Sequence, residues 1–355
     1  MGIRVERAKT LKQKPDFSKL GFGNYYTDHM FIMDYSKDKG WFDPRIVPYA
    51  PVVLDPAAMF FHYGQGTFEG LKAYRSIEDK EQILLFRPEK NMERMNCSNE
   101  RLCIPKFDEN FMVEAIKKLV EVDKDWIPDL PGTSLYIRPF IIATEPHVGV
   151  HPSSTYSFYV ILSPVGAYYV EGINPVKIYV EDEYCRAMKG GTGFAKTAAN
   201  YAISLKAQEV AQSKGYTQVL WLDGVHRKYI EEVGTMNVMF VIDGEVITPE
   251  LNGSILPGVT RMSAMELLRD AGYKVTERKL SIDEVAKAAE KGTLSEAFGT
   301  GTAAVISPIG ELIWEDRQII INDGKIGPVS QKIYDVITGI QSGKLEDTFG
   351  WVTRV

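Results

Sequence analysis

Cysteine is scarce in this 355-residue sequence: only Cys97, Cys103 and Cys185 occur, with no C-x-x-C among them. That excludes a disulfide framework and a cysteine-built zinc site. An odd, sparse set reads as reduced thiols inside a cell, each expected to be a small buried hydrophobe. Long apolar runs are also missing. None reaches the ~18 residues of a spanning helix, so a membrane protein is not expected. The opening MGIRVERAKTLKQKPDFSKL lacks the apolar stretch of a signal peptide, and Glu6 stands where myristoylation of Gly2 needs Ser or Thr. Blocks of one charge are absent too. Lys and Arg number 41 against 47 Asp and Glu, a net charge of −6, so nucleic acid and anionic membrane are not expected partners. A cytoplasmic protein is the expectation.

What is present is an ordinary globular composition, 45% hydrophobic and 25% charged. The length suggests two domains. The first 20 residues read as an arm. A β-rich stretch follows, then a helix in PEKNMERMNCSNERL with Pro88 in its first turn. DENFMVEAIKKLVEVDKDWIP reads as an amphipathic helix, with Met112, Ile116, Leu119 and Val120 on one face and Pro128 as its stop. The Gly/Pro-bearing GAYYVEGINP, residues 166–175, is the expected connector between a smaller domain at 1–165 and a larger one at 176–355. In the second part a helix is expected over about 200–214. Asp243-Gly244 signals a tight hairpin, and Ser281 with Glu284 signals a capped helix start. Hairpins without a regular strand–helix alternation indicate an α+β fold.

The stretch KGGTGFAKTAANY, residues 189–201, raises the chemical question. Gly190 to Thr197 nearly matches the phosphate loop G-x-x-x-x-G-K-[ST], and VLWLD ends on an Asp223 that could hold magnesium. Against this, Ala195 replaces the glycine that must bend around phosphate, and no strand runs directly into the loop. The other reading makes Lys196 a nucleophilic amine among small residues. An amine that bonds a pyridoxal phosphate aldehyde needs a carboxylate for the ring nitrogen, a phosphate cradle and a binder for the substrate carboxylate. Glu231 and Glu232 precede a strand, where one can face inward, but spacing alone does not choose between them. Gly258, Val259 and Thr260 open a helix, whose free N–H groups favour an anion. Gly299, Thr300, Gly301 and Thr302 could form a second nest of N–H and hydroxyl donors.

GTGFAKTAANY, EEVGTMNVMF, LNGSILPGVTR and FGTGTAAV together resemble the branched-chain amino acid aminotransferases, pyridoxal phosphate enzymes of the D-amino acid aminotransferase-like fold (fold type IV). FGNYYTDHMF, HYGQGTFEGLKAY, LFRPEKNMERM, SLYIRPFIIATEP and ILSPVGAYY extend the resemblance upstream, in order, over nearly the whole chain. It implies that Lys196 bonds the cofactor and moves the substrate proton, that Glu232 partners the ring nitrogen, and that Tyr201 hydrogen-bonds the phenolic oxygen. Arg94, Arg186, Val259, Thr260 and Thr302 match the phosphate side. Tyr63, Tyr136 and Arg138 match groups around the substrate α-carboxylate, with backbone near Thr235 and Ala303. Phe22, Phe68 and Tyr168 match an apolar side-chain pocket. Val148 and Val150 match a loop contributed by the second subunit of a homodimer. The implied substrates are leucine, isoleucine and valine with their 2-oxo acids, and glutamate with 2-oxoglutarate. Met239 departs from the Phe or Tyr usual at its place, and Ala304 and Ser307 stand where some animal relatives carry a C-x-x-C pair. Within the same fold, a D-amino acid aminotransferase and an aminodeoxychorismate lyase are the alternatives.

His147 and His151 are four apart, but Pro146, Gly149 and Pro152 argue against the helix that would make them a metal pair. His29 and His62 read as structural groups or as supports behind a site.

Overall fold

The computed structural model describes residues 2–166 and 173–355, so most of the connector, Tyr168 included, lies outside the described residues. The chain divides into two compact units. One comprises Met1–Tyr168, Ala195–Ala198 and Gly339–Val355, the other Tyr169–Phe194 and Ala199–Thr338. A single break at 166–175 assigns 195–198 and 339–355 to the second part, and makes the first the smaller. Here the first unit takes in both segments and is the larger. The cause is backbone pairing between residues remote in sequence. Thr197 bridges to Thr67, and strand Val352–Arg354 adds to Ile83–Phe86.

In the first unit the strands run in the order Arg4–Val5, Gly40–Pro48, His29–Ser36, Thr155–Val165, Ser134–Ala143, Leu71–Arg75, Ile83–Phe86 and Val352–Arg354, with Gly66–Phe68 also on Ser134–Ala143. Helices Pro88–Arg101 and Glu109–Val122 share its core. Met112, Ile116, Leu119 and Val120 are fully buried, as the apolar spacing requires. Each such side chain contributes about 1.5–3 kcal/mol. Asp108 caps the second helix by accepting the Phe111 N–H at 3.0 Å. That helix stops at Val122, short of Pro128, and runs into a 3-10 turn at Lys124–Trp126; at the junction the Asp123 oxygens take the His29 backbone N–H at 2.9 Å and Nδ1 at 2.6 Å. The Ala8 N–H donates to His29 Nε2 at 2.8 Å, which ties the N-terminal arm down and fixes the histidine as a structural group.

The sheet of the second unit runs Ile230–Val233, Gln218–Leu222, Val176–Glu181, Val305–Trp314, Leu294–Gly301, Asn237–Ile242, Glu245–Thr248 and Val275–Glu277, with Arg317–Ile320 on Val305–Trp314. It is mixed: Val176–Glu181 is parallel to both its neighbours. Asp243 and Gly244 turn the expected hairpin at φ 50° and 76°. Ser281 Oγ accepts the Glu284 N–H at 3.1 Å and starts helix Ile282–Glu290. The helix expected over 200–214 is two, Ala198–Ala202 and Leu205–Ser213. Ser204 ends the first, its N–H and hydroxyl both bonding the Tyr201 carbonyl, at 3.2 and 2.8 Å. Met239 packs fully buried. The cysteines differ from expectation: Cys97 and Cys103 are exposed and Cys185 is half-buried. Cys97 lies on the outer face of its helix, and Cys103 sits past the helix end at φ 56°, where the chain turns outward.

Candidate active site

In the first unit Lys196 is held through its backbone. Its N–H donates to Ser98 Oγ at 2.9 Å, and its carbonyl accepts the Phe68 N–H at 3.0 Å. On either side, Ala195 and Thr197 are each 1% exposed. Thr197 donates its hydroxyl to the Gly66 carbonyl at 2.8 Å. Small buried neighbours and main-chain bonds on both sides fix the Cα. Nζ lies 4.9 Å from the centroid of the Phe68 ring. Ala195 thus fills a packed position at a bend, where a phosphate loop needs glycine.

Glu69, the next residue after Phe68, is wholly buried. Arg94 donates Nε and Nη2 to its two oxygens at 2.7 and 2.8 Å, and Asn91 adds a bond at 2.8 Å. Burial pushes the Glu69 carboxyl up. The Arg94 charge and hydrogen bond, then the Lys196 charge and Asn91, outweigh it, so the carboxyl lies below its usual range. Arg94, expected on the phosphate side, therefore spends two of its donors on a carboxylate.

Tyr136 and Arg138 stand two apart on one strand and meet: Arg138 Nη2 donates to the Tyr136 hydroxyl at 2.8 Å. Phe22 packs edge-on to Tyr136 at 5.0 Å, and the Arg138 guanidinium lies 4.9 Å over Phe68. Arg138 Nε is buried without a partner among the described residues. A Cβ on Gly70 would fall 2.1 Å from the Tyr136 hydroxyl, so only glycine lets that hydroxyl reach its place. Tyr63 is partly exposed. Its hydroxyl donates to the Val148 carbonyl, and Tyr63, Val148 and Val150 are 40%, 65% and 83% exposed. His151 bonds Gly149 and Glu145, its ring 4.8 Å from that of His147, and no metal-holding cluster occurs among the described residues.

In the second unit Glu232 is the inward-held carboxylate. Its Oε1 accepts the Leu256 N–H at 2.7 Å and Arg186 Nη2 at 3.1 Å. Arg186 Nη2 also reaches the Ser254 carbonyl at 2.8 Å and the Gly193 carbonyl at 3.1 Å. A Cβ on Gly193 would meet the Ser254 oxygen at 2.1 Å, which explains the second glycine of GTG. Val259 and Thr260 are buried in the first turn of helix Val259–Asp270, and Gly258 ahead of them provides no side-chain cap, so the N–H groups stay available to an anion. Thr302 and Ala303 lie, half-buried, in the tight turn between Leu294–Gly301 and Val305–Trp314. Val305 closes it at φ 63°, a strained value for a β-branched residue. Thr235 is exposed in the turn before Asn237–Ile242, and Tyr201 is half-buried in Ala198–Ala202.

Asp223 does not offer a magnesium site. Its carboxylate accepts backbone N–H groups of Val225, His226, Lys228 and Tyr229 at 2.7–3.2 Å, and so closes a turn. Sequence reading missed Glu69, Ser98 and Ser254. Glu69 carried a signal, a charged residue between Phe68 and Gly70 in an apolar strand region. The two serines carried none, because their roles arise only in tertiary contact.

Residues 66–312 match the family model described as amino-transferase class IV. The branched-chain-amino-acid aminotransferase 2 of Bacillus subtilis is 64% identical over 353 residues, 99% of this chain and 97% of that one. Among solved structures, the branched-chain aminotransferase of Thermoproteus uzoniensis with norvaline aligns with a TM-score of 0.77 at 25% identity, over 92% of this chain and 99% of that one. The T.th. branched-chain amino acid aminotransferase complexed with N-(5'-phosphopyridoxyl)-L-glutamate aligns at 0.75 and 25% identity, over 94% and 98%.

Proposed function

This chain belongs to the class IV aminotransferases, and from that membership we propose that it moves the amino group of L-leucine, L-isoleucine or L-valine to 2-oxoglutarate, as a cytoplasmic homodimer using pyridoxal phosphate. The observation that carries the substrate class is the 64% identity, over 99% of this chain, to a relative named for branched-chain amino acids.

The residues fit that cofactor. Arg186 Nε and Thr300 Oγ1 are buried polar atoms without partners among the described residues, and the helix start at Val259 has no side-chain cap. These are donors suited to phosphate. The chemistry pyridoxal phosphate supplies when bound is an aldehyde that condenses with amines and a protonated ring that draws electrons from the bond to be broken.

The chain's own residues do the rest. Lys196 would provide the amine that holds the cofactor, and would move the proton from the substrate α-carbon to the cofactor C4′ in the first half-reaction and from C4′ to the α-carbon in the second. Glu232 keeps a negative charge where the ring nitrogen must stay protonated, supported by its bonds to Leu256 and Arg186. Tyr201 donates to the phenolic oxygen. Arg94, Arg186, Val259, Thr260 and Thr302 serve the phosphate. Tyr136 and Arg138, already joined, present hydroxyl and guanidinium donors to the substrate carboxylate, with backbone at Thr235 and Ala303. Phe22 and Phe68, with Tyr168, exclude water from the branched side chain. Tyr63 serves the same substrate carboxylate, and Val148, whose carbonyl accepts the Tyr63 hydroxyl, belongs with Val150 to a loop that a second copy of the chain contributes. Incubation with 2-oxoglutarate tests the substrate class: L-leucine should yield glutamate and D-alanine should not. The opposite preference would make the chain a D-amino acid enzyme.

A further inference from the structure

Glu231 and Glu232 are consecutive on strand Ile230–Val233, where the pairing with Gln218–Leu222 shifts register: Glu232 pairs Trp221 and Ile230 pairs Leu222. Each glutamate is 3% exposed. One loop, 252–256, touches both. Toward Glu232, the Leu256 N–H donates to Oε1 at 2.7 Å, and the Ser254 carbonyl accepts Arg186 Nη2 at 2.8 Å. Toward Glu231, Ser254 Oγ is in hydrogen-bond contact with Oε1 and lies 2.6 Å from Asn252 Oδ1.

A serine hydroxyl has one proton to give. Asn252 Oδ1 only accepts, and it faces Ser254 because it also takes the Ser254 backbone N–H at 2.9 Å. With the Ser254 proton directed to Asn252, the contact to Glu231 closes only if Glu231 is the donor. The second oxygen agrees. Glu231 Oε2 is buried without a partner among the described residues, which costs far more for an anion than for a neutral acid.

We propose that Glu231 is held as a neutral carboxylic acid, donates to Ser254, and is a positioning residue that sets loop 252–256 so that Leu256 and Ser254 hold Glu232 and Arg186 in place. The environment supports the protonated form. Burial pushes the Glu231 carboxyl up, against the opposing pull of Ser254, Asn252 and Arg186, while Asp223 adds to the push. Glu231 lines a cavity of about 150 Å³, whose other charged groups are Lys189, Lys279, His226, Asp223 and Glu250. Lys189, Lys279 and His226 are exposed, and Asp223 is saturated by backbone donors.

The proposal rests on reading Glu232 as the partner of the ring nitrogen. Its test titrates the apoenzyme with pyridoxal phosphate, following fluorescence and the absorbance of the bound cofactor, for wild type, Glu231→Gln and Glu231→Ala. Glutamine donates to Ser254 as the neutral acid does, so its affinity should stay within about threefold of wild type. Alanine removes the donor and should weaken binding about tenfold or more and shift the absorbance. Thermal unfolding of each apoenzyme shows whether the variant folds. Should the alanine variant not fold, Ser254→Ala breaks the same link and is expected to behave alike. Equal weakening by glutamine and alanine would overturn the neutral acid, and an alanine variant as tight as wild type would overturn the positioning role. A wild-type chain that binds no cofactor would instead fail the reading of Glu232 itself.

Discussion

Arg94 meets Glu69 through two parallel hydrogen bonds, at 2.7 and 2.8 Å, with the carboxylate wholly out of solvent. The pair joins helix Pro88–Arg101 to the residue beside Phe68, and its negative end is felt by Lys196. Replacing Glu69 by Gln leaves a buried guanidinium uncompensated. The expected loss is about 3–5 kcal/mol of stability, read by denaturant unfolding. The pH dependence has a definite sign. The folded carboxyl lies below its unfolded value, so its contribution is present above about pH 4.3 and is lost as pH falls through the folded value. The Gln variant should lack that acid-side slope.

Lys72 is 8% exposed, and burial alone lowers its ammonium from 10.5 to about 8. Between those values the unfolded chain holds a proton that the folded chain lacks, so stability rises with pH across the window. Lys72→Met removes the cost of burying the charge. It should stabilise the protein near neutral pH by up to about 3 kcal/mol, with the gain fading as pH climbs toward 10. Urea midpoints measured from pH 6 to 10 check this.

Gly70→Ala puts a Cβ onto the Tyr136 hydroxyl, 2.1 Å away in the present structure. The hydroxyl must move and its bond to Arg138 is lost. With a proposed donor to the substrate carboxylate displaced, kcat/KM for L-leucine should fall roughly tenfold to a hundredfold, mostly through KM. Steady-state kinetics with an intact melting transition distinguishes this from unfolding.

Val148 and Val150, 65% and 83% exposed beside Tyr63, are apolar surface that a second copy is proposed to cover. Val148→Asp with Val150→Asp should convert a dimer to a monomer in analytical ultracentrifugation and lower activity with it. An unchanged dimer would place the interface elsewhere.

Much of this was readable in advance where physics is local. The face of Met112, Ile116, Leu119 and Val120, the Asp243-Gly244 turn and the Ser281 cap depend on neighbours within a few residues, and all formed. What sequence hid depends on distant partners. The Asp123 side chain, at its helix end, pairs with His29, 94 residues away. Ser204 split a helix by bonding Tyr201 with both its donors. Thr197 crossed to Gly66 and carried Lys196 into the first unit. Spacing could not choose between Glu231 and Glu232, since both are buried. What separates them is that Leu256 and Arg186 bond one, and Ser254 and Asn252 the other.

The central claim is that Lys196 carries the cofactor. Borohydride reduction of the pyridoxal phosphate-loaded protein, followed by peptide mass spectrometry, tests it most directly. The account predicts a phosphopyridoxyl mass on the peptide containing Lys196 and nowhere else, and none in Lys196→Ala, which should still fold because Ser98 and Phe68 bond only the backbone at that position. A label on another lysine, or an unlabelled Lys196 peptide in a loaded and active enzyme, would contradict it.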